Sequence, residues 1–123
     1  MNFEEAKVQA KAESKTVLMS FSGSDWCANC IRLERELFES PEFQSYAKEH
    51  LVLLKLDFPM KKKNQLSAEQ TAHNEKLAEQ FNQKGAFPTV IVFSADGESL
   101  GKMKHPQPTA SAYIESLAKL TSR

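Results

Sequence analysis

"FSGSDWCANCIRLERE", residues 21–36, holds both cysteines of the chain, Cys27 and Cys30, between a short apolar run and a charged run with helical spacing. A metal clip, a structural disulfide and a reacting dithiol each require different company elsewhere in the chain. Zinc takes about four ligands, and the histidines His50, His73 and His105 are scattered, with no second pair at finger-like spacing. Covalent haem needs a histidine directly after the second cysteine, where Ile31 stands. A disulfide across so short a loop removes little chain entropy, so as a staple it would stabilise little. A C-x-x-C at a strand-to-helix junction offers something else. The free backbone N–H groups and the positive end of the helix dipole favour thiolate at Cys27. Cys30, one turn further on, is placed to attack a mixed disulfide formed by the first thiol. The expectation is a reacting dithiol with no metal and no cofactor.

The flanking sequence supplies the strand and the helix that this reading needs. Residues 16–21 (TVLMSF) read as a buried strand, broken by Gly23 and Ser24. From Ala28 the spacing turns helical, with Ile31 and Phe38 seven apart and Leu33 and Leu37 four apart. Ser40 is an N-cap with Pro41 at the first position of a further short helix, whose inner face is Phe43, Tyr46 and Ala47. Residues 51–58 (LVLLKLDF) are the second strand, apolar enough to be covered on both faces, and Pro59 ends it. Lys61, Lys62 and Lys63 open a polar connection, read as a solvated loop. Ser67 with Gln70 matches a capping box and predicts a helix to about Gln83, with Leu77, Ala78 and Phe81 inward and Gly85 as its stop. Pro88 precedes a third strand (TVIVF), and Asp96-Gly97 predicts a hairpin turn into a fourth at about 99–103. A last helix from about Thr109 carries Tyr113, Ile114, Leu117 and Leu120 on one face. Ahead of everything, residues 3–14 pattern as a helix with Phe3, Ala6, Val8 and Ala10 among charges. The order α-β-α-β-α-β-β-α predicts an α/β fold with a mixed central sheet and helices on both faces.

Composition narrows the function. At 123 residues the chain fits one domain, 1–123, and a domain of this size buries roughly two-thirds of its unfolded surface. Sixteen basic residues balance sixteen acidic ones, so no global field recommends nucleic acid or an anionic membrane. No apolar stretch approaches the ~20 residues that cross a bilayer, and the opening MNFEEAKVQAKAESK lacks an apolar signal-peptide core.

A strand, then Asp25-Trp26-Cys27-Ala28-Asn29-Cys30 at a helix start, then Gly85-Ala86-Phe87-Pro88-Thr89 before a strand, resembles the thioredoxin family from about Thr16 to Leu120. The longer pattern, GSDWC-x-x-C followed by LFESPEF, is most similar to bacterial cell-envelope thioredoxins and to the C-terminal domain of the DsbD electron conductor. The resemblance implies a thioredoxin fold with an extra N-terminal helix, Cys27 as the attacking thiol and Cys30 as the resolving one. It implies a cis Pro88 beside the dithiol, with Phe87 offering backbone to an extended client, whereas position alone favours a trans proline at a strand start. Trp26 is a wall of that site, or else a core aromatic. Lys55 matches the family's lysine in the second strand. Ser20 stands where many members carry a buried acid, so the proton acceptor for Cys30 is open; Asp25 and Glu34 are the candidates, and as solvated charges they would have no such role.

The resemblance further implies a thiol–disulfide oxidoreductase acting as a monomer on disulfide-bearing client proteins and recharged by an upstream electron donor. The expected compartment is the periplasm or cell envelope, with the cytoplasm as the alternative. Potentials in this fold run from roughly −270 to −120 mV; the Ala28-Asn29 pair does not place the chain within that range, and a reductant is expected. The rival function is a redox-inert module whose groove only binds peptide. His105 reads as an exposed loop residue.

Overall fold

A computed structural model describes residues 2–121. Its organising element is β1 (Thr16–Ser22), in which residues 17–21 are buried without a break. Such a strand must be covered on both faces and paired on both edges. β2 (Leu51–Asp57) lies parallel to it on one side and β3 (Thr89–Phe93) antiparallel on the other. β4 (Ser99–Lys102) closes the sheet beyond β3, giving the order β2-β1-β3-β4. Gly97, at φ 90°, makes the β3–β4 turn, a conformation with little steric cost only for glycine.

The strand alternation divides the interior in two. Val17, Met19 and Phe21 of β1 join Val52, Leu54, Leu56, Ile91 and Phe93 under α1 (Phe3–Glu13) and α4 (Ala68–Phe81). Leu18, Val90 and Val92 face α3 (Pro41–His50) and α5 (Ala110–Thr121), where Phe43, Ala47, Tyr113 and Leu117 fill the second core. Fully burying a side chain of this size contributes about 1.5–3 kcal/mol. The anticipated α/β architecture with its N-terminal helix is the one observed. Its weak apolar face is explained by Ala6 and Ala10, both fully buried: two small residues bring α1 close to the sheet, while Val8 points to solvent.

Several local expectations hold and others are corrected. Ser40 caps α3 with Pro41 at its first turn. Ser67 accepts from the Gln70 N–H at 3.1 Å, but the Gln70 amide turns to Asn74; the reciprocal capping box is made instead by Asn2 and Glu5 at the start of α1. The helix after the dithiol, α2 (Ala28–Leu33), runs into a π turn at Glu34–Phe38, closed by a 2.9 Å bond from Glu39 N to Glu34 O. The wider turn rotates the face. Leu37 and Phe38 are buried, but Ile31, expected on the same face as Phe38, is 36% exposed. A 3₁₀ turn, Lys62–Asn64, also interrupts the polar connection, which is therefore not a plain loop.

Candidate active site

The dithiol sits where β1 gives way to α2. Cys27 is the N-cap of α2, in extended geometry, and its sulfur accepts the Cys30 N–H at 3.3 Å. Negative charge arriving at that sulfur therefore meets an oriented donor. Both cysteines are free thiols. They differ in access: Cys27 is 8% exposed and Cys30 2%. Burial, and next the hydrogen bond with Cys27, push the Cys30 thiol up to about 11, against the smaller opposing pull of the Gly23 backbone and the Ser22 hydroxyl. The thiol at the lip and the proton-retaining thiol behind it are chemically unlike, as sequential exchange requires.

Aromatic rings and a glycine shape the lip. Trp26 is 43% exposed. Its indole N–H donates to Phe58 O at 2.7 Å, and its ring meets Phe87 edge-on with centroids 5.4 Å apart. Phe87 in turn packs edge-on against Phe58. The indole lies over Gly23, where an added Cβ would come within 2.3 Å of the ring. Phe87–Pro88 is cis, as the resemblance implied. The loop that carries it is held by Asn82, whose amide donates to Ala86 O at 2.9 Å, and by Thr89, whose hydroxyl donates to the same oxygen at 2.7 Å.

Pro88 separates two clefts. The first, about 400 Å³, runs along Asn29, Arg32 and Glu36 of the helix to Phe87, His105 and Gln107. His105 is not the exposed loop residue expected: its Nε2 lies 3.1 Å from the Tyr113 hydroxyl, burial holds its pKa below the ordinary value, and its bond to Pro106 is also cis. The second cleft, about 300 Å³, reaches Cys30 from behind and is lined by Ser20, Ser22, Glu34, Lys55 and Asp57 among others. Ser20 is buried and pairs in register with Lys55. Lys55 forms an ion pair with Glu34 and lies 5.5 Å from the Phe38 ring centre. The lysine thus meets a carboxylate from the π turn, not one from β1.

Asp25 is half-exposed and lies outside the lining of that cleft. Its oxygens accept from Met60 N at 2.9 Å, Lys61 N at 3.0 Å and Asn64 Nδ2 at 3.0 Å, which hold its pKa below the usual value. Asp25→Ala is expected to release this segment, raising amide exchange at residues 60–64 in hydrogen–deuterium exchange while protection in β1 and β3 is unchanged. Acid should do the same. A carboxylate with a depressed folded pKa adds stability above its unfolded value, near 3.9, that is lost as pH falls through the folded one.

Two buried or half-buried polar residues were not picked out from the sequence. Asp57 binds Ser24 through both oxygens, at 3.0 Å to N and 2.6 Å to Oγ. Asn74 donates to Asp57 O at 3.1 Å, and its own carbonyl lies 2.9 Å from His73 Nδ1. His73 Nε2 accepts the Phe3 N–H at 3.1 Å. A hydrogen-bonded line therefore runs from the start of α1 to the loop that carries the dithiol. Asn74 shares the inner helical face of Leu77, Ala78 and Phe81, and a polar residue there is a readable signal.

A family profile described as "Thioredoxin-like domain" matches residues 3–117. The disulfide bond reductase DsbH of Chlamydia pneumoniae is 33% identical over 113 residues, covering 92% of this chain and 66% of that protein. The chain thus spans just under two-thirds of the length of that relative. A solved structure described as DsbH oxidoreductase superposes with a TM-score of 0.89 at 30% identity, covering 99% of this chain and 83% of the other. The oxidised C-terminal domain of DsbD from Neisseria meningitidis shares the fold, with a TM-score of 0.59 at 20% identity, covering 94% of this chain and 89% of that one. Among the described residues no helix is long and apolar enough to cross a membrane.

Proposed function

The chain belongs to the thioredoxin-like family, and from that premise we propose that it is a thiol–disulfide oxidoreductase that reduces disulfides in client proteins. The observation that carries this reading is the unequal pair: Cys27 at the lip, Cys30 behind it and holding its proton. Cys27 as thiolate attacks one sulfur of a client disulfide, and the other client sulfur leaves and takes up a proton. Cys30, once deprotonated, attacks the Cys27 sulfur and displaces the second client thiolate. The client gains two electrons and two protons, and the chain is left with a Cys27–Cys30 disulfide. An upstream donor must return the electrons.

Trp26, Phe87 and Pro88 form the wall against which the client backbone lies. The proton leaving Cys30 passes into the cleft behind it. There Glu34, oriented by Lys55, is the proposed acceptor in place of an acid at Ser20; Asp25 is engaged elsewhere. The proposed setting is the periplasm or cell envelope.

Reduction of insulin with dithiothreitol as electron source tests the reading. Catalytic amounts of the protein should shorten the lag before turbidity severalfold over dithiothreitol alone. A lag equal to the reductant's own would favour the rival, a module that binds peptide without exchange.

A further inference from the structure

Lys61, Lys62 and Lys63 are all exposed, and among the described residues none of their ammonium groups joins an ion pair. A lysine run on a free loop is ordinarily only a solvated surface. This one is fastened. Asp25 grips both ends of the segment, at Met60 N, Lys61 N and Asn64 Nδ2. Gln65 Nε2 clasps it from its two flanks, donating to Pro59 O at 3.0 Å, and the middle is wound into the 3₁₀ turn. The anchor stands two residues before Cys27, at most about 7.6 Å of chain away.

The charge beside the dithiol leans positive on this side, three lysines against two carboxylates. Asp57 is held by Ser24 and Asp25 by Met60 N, Lys61 N and Asn64 Nδ2; Asp25 offsets part of the Lys61 charge, and among the described residues Lys62 and Lys63 join no ion pair. On the opposite flank of the dithiol, the first cleft carries one charge of each sign, Arg32 and Glu36. Two open apolar side chains flank these groups, Trp26 next to Cys27 at 43% and Met60 next to Lys61 at 71% exposure. A chain crossing the lip in this direction meets apolar surface and then three lysines carried on a fastened backbone.

We propose that the segment of residues 60–64 is a recognition ridge for an acidic stretch beside the client's disulfide, so that the enzyme prefers clients carrying Asp or Glu next to an apolar residue by the cystine. This rests on the reductase reading and adds a specificity to it. Charges of this kind act on encounter and selection more than on the chemical step.

The test uses three cystine peptides, identical except for three flanking residues (Glu, Gln or Lys), and compares the wild type with the triple variant Lys61→Gln, Lys62→Gln, Lys63→Gln. The wild type should reduce the Glu peptide with a kcat/KM about fivefold above the Gln peptide, with the Lys peptide below both. In the variant the three should converge, with the Gln peptide reduced at its wild-type rate. Raising salt from 0.05 to about 1 M should erase the wild-type preference, because the screening length falls to about 3 Å. Equal wild-type rates for the Glu and Gln peptides, or a preference that survives in the variant, would overturn the ridge. Fluorescence anisotropy with a cysteine-free Glu peptide reads the ridge independently of exchange. Binding there that is lost in the variant supports the ridge even if no cystine peptide is reduced, an outcome that would sink only the reductase reading. No salt-sensitive binding would overturn the ridge whatever the exchange assay shows.

Discussion

Cys30→Ser is expected to collect client proteins as stable mixed disulfides, while Cys27→Ser collects almost none and loses turnover by at least ~10³-fold. The asymmetry follows from position. Cys27 is at the lip and its sulfur accepts the Cys30 N–H; Cys30 is enclosed by Cys27, Gly23 and Ser22. With serine at position 30 the first attack proceeds, but no second thiol releases the product. With serine at position 27 the remaining thiol is buried and has no client within reach. Mass spectrometry of species resolved on non-reducing gels reads the outcome directly. Equal capture by the two variants would mean that the assigned roles are wrong.

The second large effect is on pH dependence. A thiol near pKa 11 is thiolate in only about one molecule in 10⁴ at pH 7. In the mixed disulfide Cys27 no longer carries a thiol, so its contribution to the rise is gone, but burial, the largest cause, remains. Resolution therefore needs a base. If Glu34 supplies it, the rate of product release should change little between about pH 6 and 8, because the proton passes to the side chain and not to hydroxide. In Glu34→Gln the rate should follow hydroxide, rising close to tenfold per pH unit, because only preformed thiolate attacks. The variant should fall about 1,000-fold below wild type at pH 6 and converge with it near pH 9. Stopped-flow measurement of release from a preformed mixed disulfide separates the cases, and superimposable profiles would remove Glu34 from the mechanism. Ser20→Asp in the Glu34→Gln background should restore part of the flat region, since it adds a second base to the same cleft.

How far the site could be read from the chain depended on the distance over which each signal acts. The dithiol, the Ser40-Pro41 start of α3 and the Asp96-Gly97 turn are all written within a few residues, and the structure shows each. The run of apolar residues in β1 announced a central strand because a doubly covered strand tolerates nothing else. What escaped was long-range or off-period. A π turn widens the helix by one residue per turn, and a 3.6-residue pattern laid over Ile31 and Phe38 has no room for it. Asp25 reads as a surface charge because its partners lie more than thirty positions away, and the Ser24 partner of Asp57 is as distant. Asn82 gave little warning although its partner is local: an asparagine at a helix end is common, and nothing in the next four residues marks the turn that brings Ala86 onto its amide.

The line of hydrogen bonds Phe3–His73–Asn74–Asp57–Ser24 has a practical meaning for anyone re-engineering this chain. It makes the first helix part of the chassis on which the reactive loop is mounted, not a detachable leader. His73 must accept at Nε2 and donate at Nδ1, a single tautomer, for the line to close. Deleting the first turn of α1 would leave that imidazole facing solvent, strip the cover from Ala6 and Ala10's side of the sheet and loosen Asp57, which grips Ser24 three residues from the attacking sulfur. A shortened version built for display, fusion or circular permutation should therefore keep residue 3 and its helix, and place new termini elsewhere, at the Asp96-Gly97 turn for example.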